Sequence, residues 1–162
     1  MAFEYDEYLQ AIENRFNKDG FQQHREVVNG LEVTVATAKE FRLSWMATRM
    51  HYFGIFGAKD HVTQQDAEKF SQASFELAKR KFTGMRGMMQ GFASISALAS
   101  NNVDLAAKQW VEHYQKKHFS SFELPVIIDL STYETLYCRK KPWFGRIYYN
   151  SFFQFIVKYY KP

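Results

Sequence analysis

Residues 92–130 constrain the fold more than any other stretch, because they present in turn the patterns of a strand, a helix and a second strand. Phe92-Ala-Ser-Ile-Ser-Ala-Leu-Ala99 is an uncharged apolar run, with Gly91 before it and Ser100-Asn101-Asn102 behind. Such a run suits a strand covered on both faces, with a buried helical segment as the alternative that periodicity leaves open. Val103, Ala106, Ala107, Trp110, Val111, Tyr114 and His118 then fall on one helical face, and Asp104, Lys108, Gln109, Glu112, Gln115 and Lys116 on the other. Asn101 or Asn102 is placed to cap this helix, since a short side-chain oxygen accepts from the free amides of a first turn. Leu124-Pro-Val-Ile-Ile-Asp-Leu130 follows as a β-branched strand, with Pro125 at its start where a missing donor is tolerated. A strand, a crossover helix and a strand run parallel with a right-handed connection.

The N-terminal half adds a helix and a hairpin. Tyr5, Tyr8, Leu9, Ile12 and Phe16 recur at helical spacing over residues 3–18, and Asp19-Gly20 stops that helix. Asn29-Gly30 supplies the positive φ angles of a two-residue turn between residues 21–28 and 31–38. Residues 41–56 read as one long or bent strand, with two strands broken near Met46 as the alternative. Thr63 and Asp66 form a capping pair for a helix carrying Ala67, Phe70, Ser74, Leu77 and Ala78 on its buried stripe, ended by Gly84.

Towards the C-terminus, residues 132–139 suit a strand turned back at Ser131, and residues 140–145 a loop. Tyr149, Phe152, Phe153, Ile156, Val157 and Tyr160 form the stripe of a last helix whose polar residues make only a narrow line. That wide apolar face fits between the sheet and another helix, or in part a subunit interface of a homo-oligomer. The whole is expected to be a single compact α/β (or α+β) domain over residues 1–162. Its mixed sheet joins an N-terminal antiparallel hairpin to a parallel β-α-β unit, with helices packed on it.

Composition bounds the function classes. With 18% aromatic residues among 162, the chain can bury a core without metal or disulfide support. A single cysteine, Cys138, excludes an intramolecular disulfide. The acidic N-terminus lacks a secretory pattern, and no apolar run reaches the roughly 18 residues of a membrane span. A soluble, cytoplasmic protein is expected. Charge is uneven: residues 1–81 carry 11 basic and 12 acidic side chains, residues 82–162 carry 10 and 5. No acid follows Glu134, whereas Arg139, Lys140, Lys141, Arg146, Lys158 and Lys161 do. Such asymmetry marks a surface for an anionic partner, or a solvated rim balanced by acids elsewhere.

Chemistry-bearing motifs are mostly missing. Walker-type, dinucleotide, nucleophile-elbow and Ser-x-x-Lys patterns are absent, as is the Glu-x-Lys of many nucleases. His113 and His118, five apart, diverge by about 140° on a helix and make a poor ligand pair, so His118 reads as a hydrogen-bonded core or boundary histidine. Cys138 beside Arg139 reads as a buried, inert thiol. Asp129 ends a parallel strand, where open sheets place ligand crevices, and Ser131, Thr132 and Glu134 follow it; a turn-capping aspartate is the plainer reading. Arg49 and His51 share one face of any strand through residues 41–56.

Two functions follow. The first is a non-catalytic binding or assembly module, whose basic, aromatic C-terminal half engages an acidic protein or nucleic acid through Arg139, Lys140, Lys141, Trp143 and Arg146. The second is a small hydrolase or nuclease using Asp129 and Glu134, with Arg49 and His51 as further candidates and a divalent metal as an option. No cofactor or built-in metal site is predicted.

Overall fold

The computed structural model describes residues 2–42, 48–83, 90–143 and 145–162. Among these, six strands form one sheet in sequence order. The elements are α1 (Ala2–Lys18), β1 (Gln22–Val28), β2 (Leu31–Arg42), β3 (Thr48–Ala58), α2 (Gln64–Lys81), β4 (Gln90–Ser100), α3 (Leu105–Glu112), β5 (Ser121–Asp129), β6 (Glu134–Leu136) and α4 (Arg146–Tyr160). β1, β2 and β3 are antiparallel neighbours, β3, β4 and β5 run parallel, and β6 returns antiparallel to β5. The expected α/β architecture with its hairpin and parallel unit is therefore present. A second crossover, β3-α2-β4, precedes the one the sequence singled out.

Local chemistry accounts for the joins. Asn29 and Gly30 take φ angles of 50° and 76°, which puts Val28 opposite Leu31 and fixes the hairpin register. Thr63 and Asp66 exchange the reciprocal bonds of a capping box, with Thr63 Oγ1 accepting from the Asp66 amide at 3.1 Å and Asp66 Oδ2 from the Thr63 amide at 2.9 Å. β4 and β5 are buried along almost their whole length because helices cover both faces. On one face α1 and α4 enclose Ile12, Phe16, Ile95, Phe152 and Tyr160. On the other, α2 and α3 enclose Val35, Ile55, Phe70, Phe92 and Ile127. Gly54 lets the first layer close, since a Cβ there would stand 2.9 Å from the Phe16 ring.

Four expectations are corrected. Residues 41–56 are not one strand: β2 runs to Arg42, β3 begins at Thr48, and these two residues pair antiparallel, so the chain reverses between them. The proposed break near Met46 lies outside the described residues, as does the Gly84 helix stop; α2 closes at Phe82, whose amide donates to the Ala78 carbonyl at 2.9 Å. α3 ends at Glu112 instead of reaching His118, and the His113 ring bonds the Gln109 carbonyl at 2.8 Å. Its apolar stripe continues past the helix end because Tyr114, from the irregular segment beyond, packs on Trp110 with ring centroids 5.0 Å apart. Neither Asn101 nor Asn102 occupies the cap position, which is held by Asp104. Residues 102–104 are instead drawn into a strand-like bridge, with the Val62 amide on the Asn102 carbonyl and the Asp104 amide on the Val62 carbonyl.

The last helix buries Phe152, Phe155, Ile156, Tyr159 and Tyr160, a stripe rotated slightly from the expected one, and leaves Val157 half exposed. Its wide apolar face is filled from within the chain. Phe16 of α1 stacks on Tyr159 at 4.3 Å, Phe155 stacks on Tyr52 of β3 at 5.3 Å, and the Tyr160 hydroxyl donates to the Ile95 carbonyl. Arg15 donates to the Tyr159 and Lys161 carbonyls and so closes the helix C-terminus. No helix among the described residues is long and apolar enough to cross a membrane.

Candidate functional site

Side chains alternate along a strand, so Glu123 and Asp129 both leave β5 on the face covered by α2 and α3. Six residues separate them, a distance of about 20 Å along the strand. Their surroundings differ.

At the carboxyl end, Lys108 of α3 reaches Asp129 Oδ2 at 2.6 Å, while the amide and hydroxyl of Ser131 donate to Oδ1 at 2.9 and 2.6 Å. Burial works to raise the Asp129 pKa, but the bonds from Lys108 and Ser131 outweigh it and hold the carboxyl below its ordinary value. The same pairing raises Lys108. This is the capping arrangement, completed by an ion pair. Glu134 stands opposite Asp129 across the β5–β6 pair, exposed to solvent. Next to it the sheet end is stitched by His61 to Asp104 and Lys59 to Asp66, each at 2.6 Å.

At the other end, Glu123 is buried and ringed by donors. Ser71 of α2 reaches Oε2 at 2.7 Å, and His118 Nε2 reaches Oε1 at 2.9 Å. The Tyr114 hydroxyl adds a third contact; burial first, then this bond, raises that phenol well above its usual range. The His118 ring lies stacked on Phe75, centroids 3.9 Å apart and planes within 22°. The imidazole is thereby fixed from its face and from its edge. Ser94, the cross-strand partner of Glu123, and Ser74 carry buried hydroxyls with no hydrogen-bond partner among the described residues, so this part of the α2–sheet interface is polar.

A cavity of about 120 Å³ opens beside this cluster. β6 pairs only with Ile127–Asp129, so among the described residues no strand lies on the outer side of the first half of β5, and the cavity occupies that margin. Its lining includes polar Glu123 and His118, apolar Phe122, Leu124 and Pro125, and the Tyr149 ring with its hydroxyl. Burial, with the Cys138 thiol nearby, pushes the Tyr149 phenol up to about 12, so it stays protonated and able to donate. Lys116, Lys117 and Lys140 stand at the rim.

The candidates read from the sequence are distributed over three places. Asp129 and Glu134 share the stitched end. Arg49 and His51 lie on one face of β3, at the end level with Ser121, since His51 pairs with Phe92 and Phe92 with Ser121. They are a strand's length from Asp129 and two strands from Glu123, so no common site forms. Arg49 is exposed; His51 is buried edge-on against Phe82, and burial, then Lys39 and Arg49, keep its pKa low. It lines a separate groove with His24, Lys39 and Lys81. Arg139, Lys140, Lys141, Trp143 and Arg146 are all exposed; Lys140 lines the β5 pocket, and Arg139 lines an adjoining groove together with Lys140. Arg139 lies 5.1 Å from the Tyr137 ring centre, and Lys141 bonds Asn150. Cys138 is half-buried in the pocket wall. Among the described residues no three His, Cys, Asp or Glu side chains converge as metal ligands.

Sequence reasoning passed over Glu123 and Ser71. The available signal was a lone carboxylate inside the apolar run Phe122-Glu-Leu-Pro-Val126, which demands a partner once that run is buried. Comparison of the chain with protein-family models, curated proteins and solved structures finds no match.

Proposed function

We propose that the protein is a non-catalytic binding module that takes an acidic partner, protein or nucleic acid, on the basic surface around the β5 pocket. One observation carries this reading. Lys116, Lys117, Arg139, Lys140, Lys141 and Arg146 are exposed on segments that border the pocket, and none of them enters an ion pair among the described residues. Elsewhere Arg25, Lys59, Lys81, Lys108 and Lys158 each hold a carboxylate within 3 Å. Unneutralised cations in one region sum to a positive potential that concentrates anions. Trp143, 90% exposed in their midst, supplies a flat apolar surface that the fold does not use. The single free thiol fits a reducing compartment, the cytoplasm.

Retention on heparin and on single-stranded DNA as a function of sodium chloride tests this. Binding is expected to fall steeply between roughly 50 and 200 mM salt, as counterion release requires. A Lys116→Ala/Lys117→Ala/Lys140→Ala variant is expected to elute at clearly lower salt. Trp143→Ala separates the partner classes: it weakens single-stranded DNA where the indole stacks on bases, by a factor of about five or more. Retention indifferent to salt, or unaltered in the triple variant, contradicts the reading.

A further inference from the structure

The β5 pocket has a division of surface that a purely electrostatic contact does not require. Its lining combines charged and polar side chains with hydrocarbon and rings. Glu123 cannot itself be the anchor for a cation, because Ser71, His118 and Tyr114 already donate to its oxygens. What the polar part of the lining still offers is donors. His118 Nε2 is committed to Glu123 and the Phe75 stack prevents the ring from turning away, so the imidazole is a fixed part of the lining. Lys116 and Lys140 are at the rim without ion-pair partners among the described residues, and the Tyr149 phenol is protonated. Phe122, Leu124 and Pro125 line the same cavity.

We propose that this pocket binds a carboxylate carried on an apolar body, an aromatic or short aliphatic acid, with the rim lysines and the Tyr149 hydroxyl on the charge and Phe122, Leu124 and Pro125 on the hydrocarbon. It rests on the acidic-partner reading for the sign of the ligand and adds the group that enters the protein. The lining supports the choice. Charge alone would favour phosphate equally, but phosphate leaves the apolar part of the lining unsatisfied. A neutral amide of the same shape satisfies that part and leaves the lysines without a counter-charge. Only the combination uses both.

The test is an amide NMR titration of the full chain with benzoate, benzamide and inorganic phosphate in parallel. Benzoate is expected to give saturable shifts at residues 114–118, 121–125 and 137–142, with a dissociation constant of about 1 mM or tighter. Benzamide and phosphate are expected to bind at least about tenfold more weakly, each lacking one half of the recognition. Tyr149→Phe and Lys140→Ala are expected to weaken benzoate by a similar factor. The second lies on the rim, where folding does not depend on it, and the amide spectrum reports the fold of both. A peptide ending in Glu-Glu-Phe with a free carboxylate identifies the source: tighter binding than benzoate points to a partner's chain end, equal or weaker binding to a free acid.

Absence of saturable shifts, or equal shifts with phosphate, overturns the proposal. Heparin retention of the same samples reports the rim separately. Retention without benzoate binding sinks the pocket ligand alone, and loss of retention sinks the acidic-partner reading.

Discussion

β5 carries two buried carboxylates on one face, and the protein treats them in opposite ways. At Asp129 the oxygens are consumed by Lys108 and Ser131, and the neighbouring loops are tied by Lys59–Asp66 and His61–Asp104. At Glu123 the donors are a serine, a tyrosine and a stacked histidine, and the nearby lysines stand outside the network, around a cavity. A carboxylate at the end of a parallel strand is thus no guide to a ligand site by itself. What decides is whether the cations around it are already spent. Where they are, charge contributes to stability; where they are not, it is available to a partner.

The largest expected effect comes from Glu123→Ala. It strands the Ser71, His118 and Tyr114 donors in a buried setting, and urea denaturation is expected to show a loss of about 3 kcal/mol. A loss below about 1 kcal/mol would mean the cluster is wetter than its burial implies.

Asp129→Asn sharpens the contrast through pH. It keeps an acceptor for Ser131 but removes the charge opposite Lys108, for a loss of about 2 kcal/mol near neutrality. The folded Asp129 pKa is lowered, so its contribution is present above the unfolded carboxyl value, about 3.9, and disappears as pH falls through the lower folded value. The folded Lys108 pKa is raised, so its contribution is present below about 10.4 and disappears as pH rises through the higher folded value. The Asn variant should therefore be less sensitive to pH at both extremes than the parent. A parallel offset at every pH would contradict the pair.

Thr63→Ala removes the capping box at the stitched end and is expected to destabilise by about 1 kcal/mol in the same assay. Smallest of all, the Lys116→Ala/Lys117→Ala/Lys140→Ala variant should stay within about 0.5 kcal/mol of the parent, since exposed lysines that hold no ion pair among the described residues contribute little to folding. A large destabilisation there would show that these cations serve the fold, and the two ends would no longer differ in kind.

Features set within a few residues were legible in the sequence. Asn29-Gly30 announced its hairpin, Thr63 with Asp66 its capping box, and the runs at 92–99 and 124–130 their parallel strands. Features set by distant partners were not. Asp129 stood out as a candidate, but Lys108, 21 positions earlier, is what neutralises it. His118 was legible as a hydrogen-bonded histidine, although on a helix that the chain abandons at Glu112 so that His118 can meet Glu123. Ser71 and Glu123 are 52 positions apart, and no local period connects them. Phe155 and Tyr159 were missed for a related reason: a helix apolar over most of its circumference does not say which side faces Phe16 and which faces water.

The contrast between the two ends of β5 is tested most directly by mapping where an anion lands. Titrating the ¹⁵N-labelled chain with a heparin hexasaccharide at low salt should shift amides of residues 114–125 and 137–146, and leave 59–66, 102–108 and 129–131 unmoved. Shifts centred on Asp129 and Lys108, or spread evenly over every lysine-bearing surface, would contradict it.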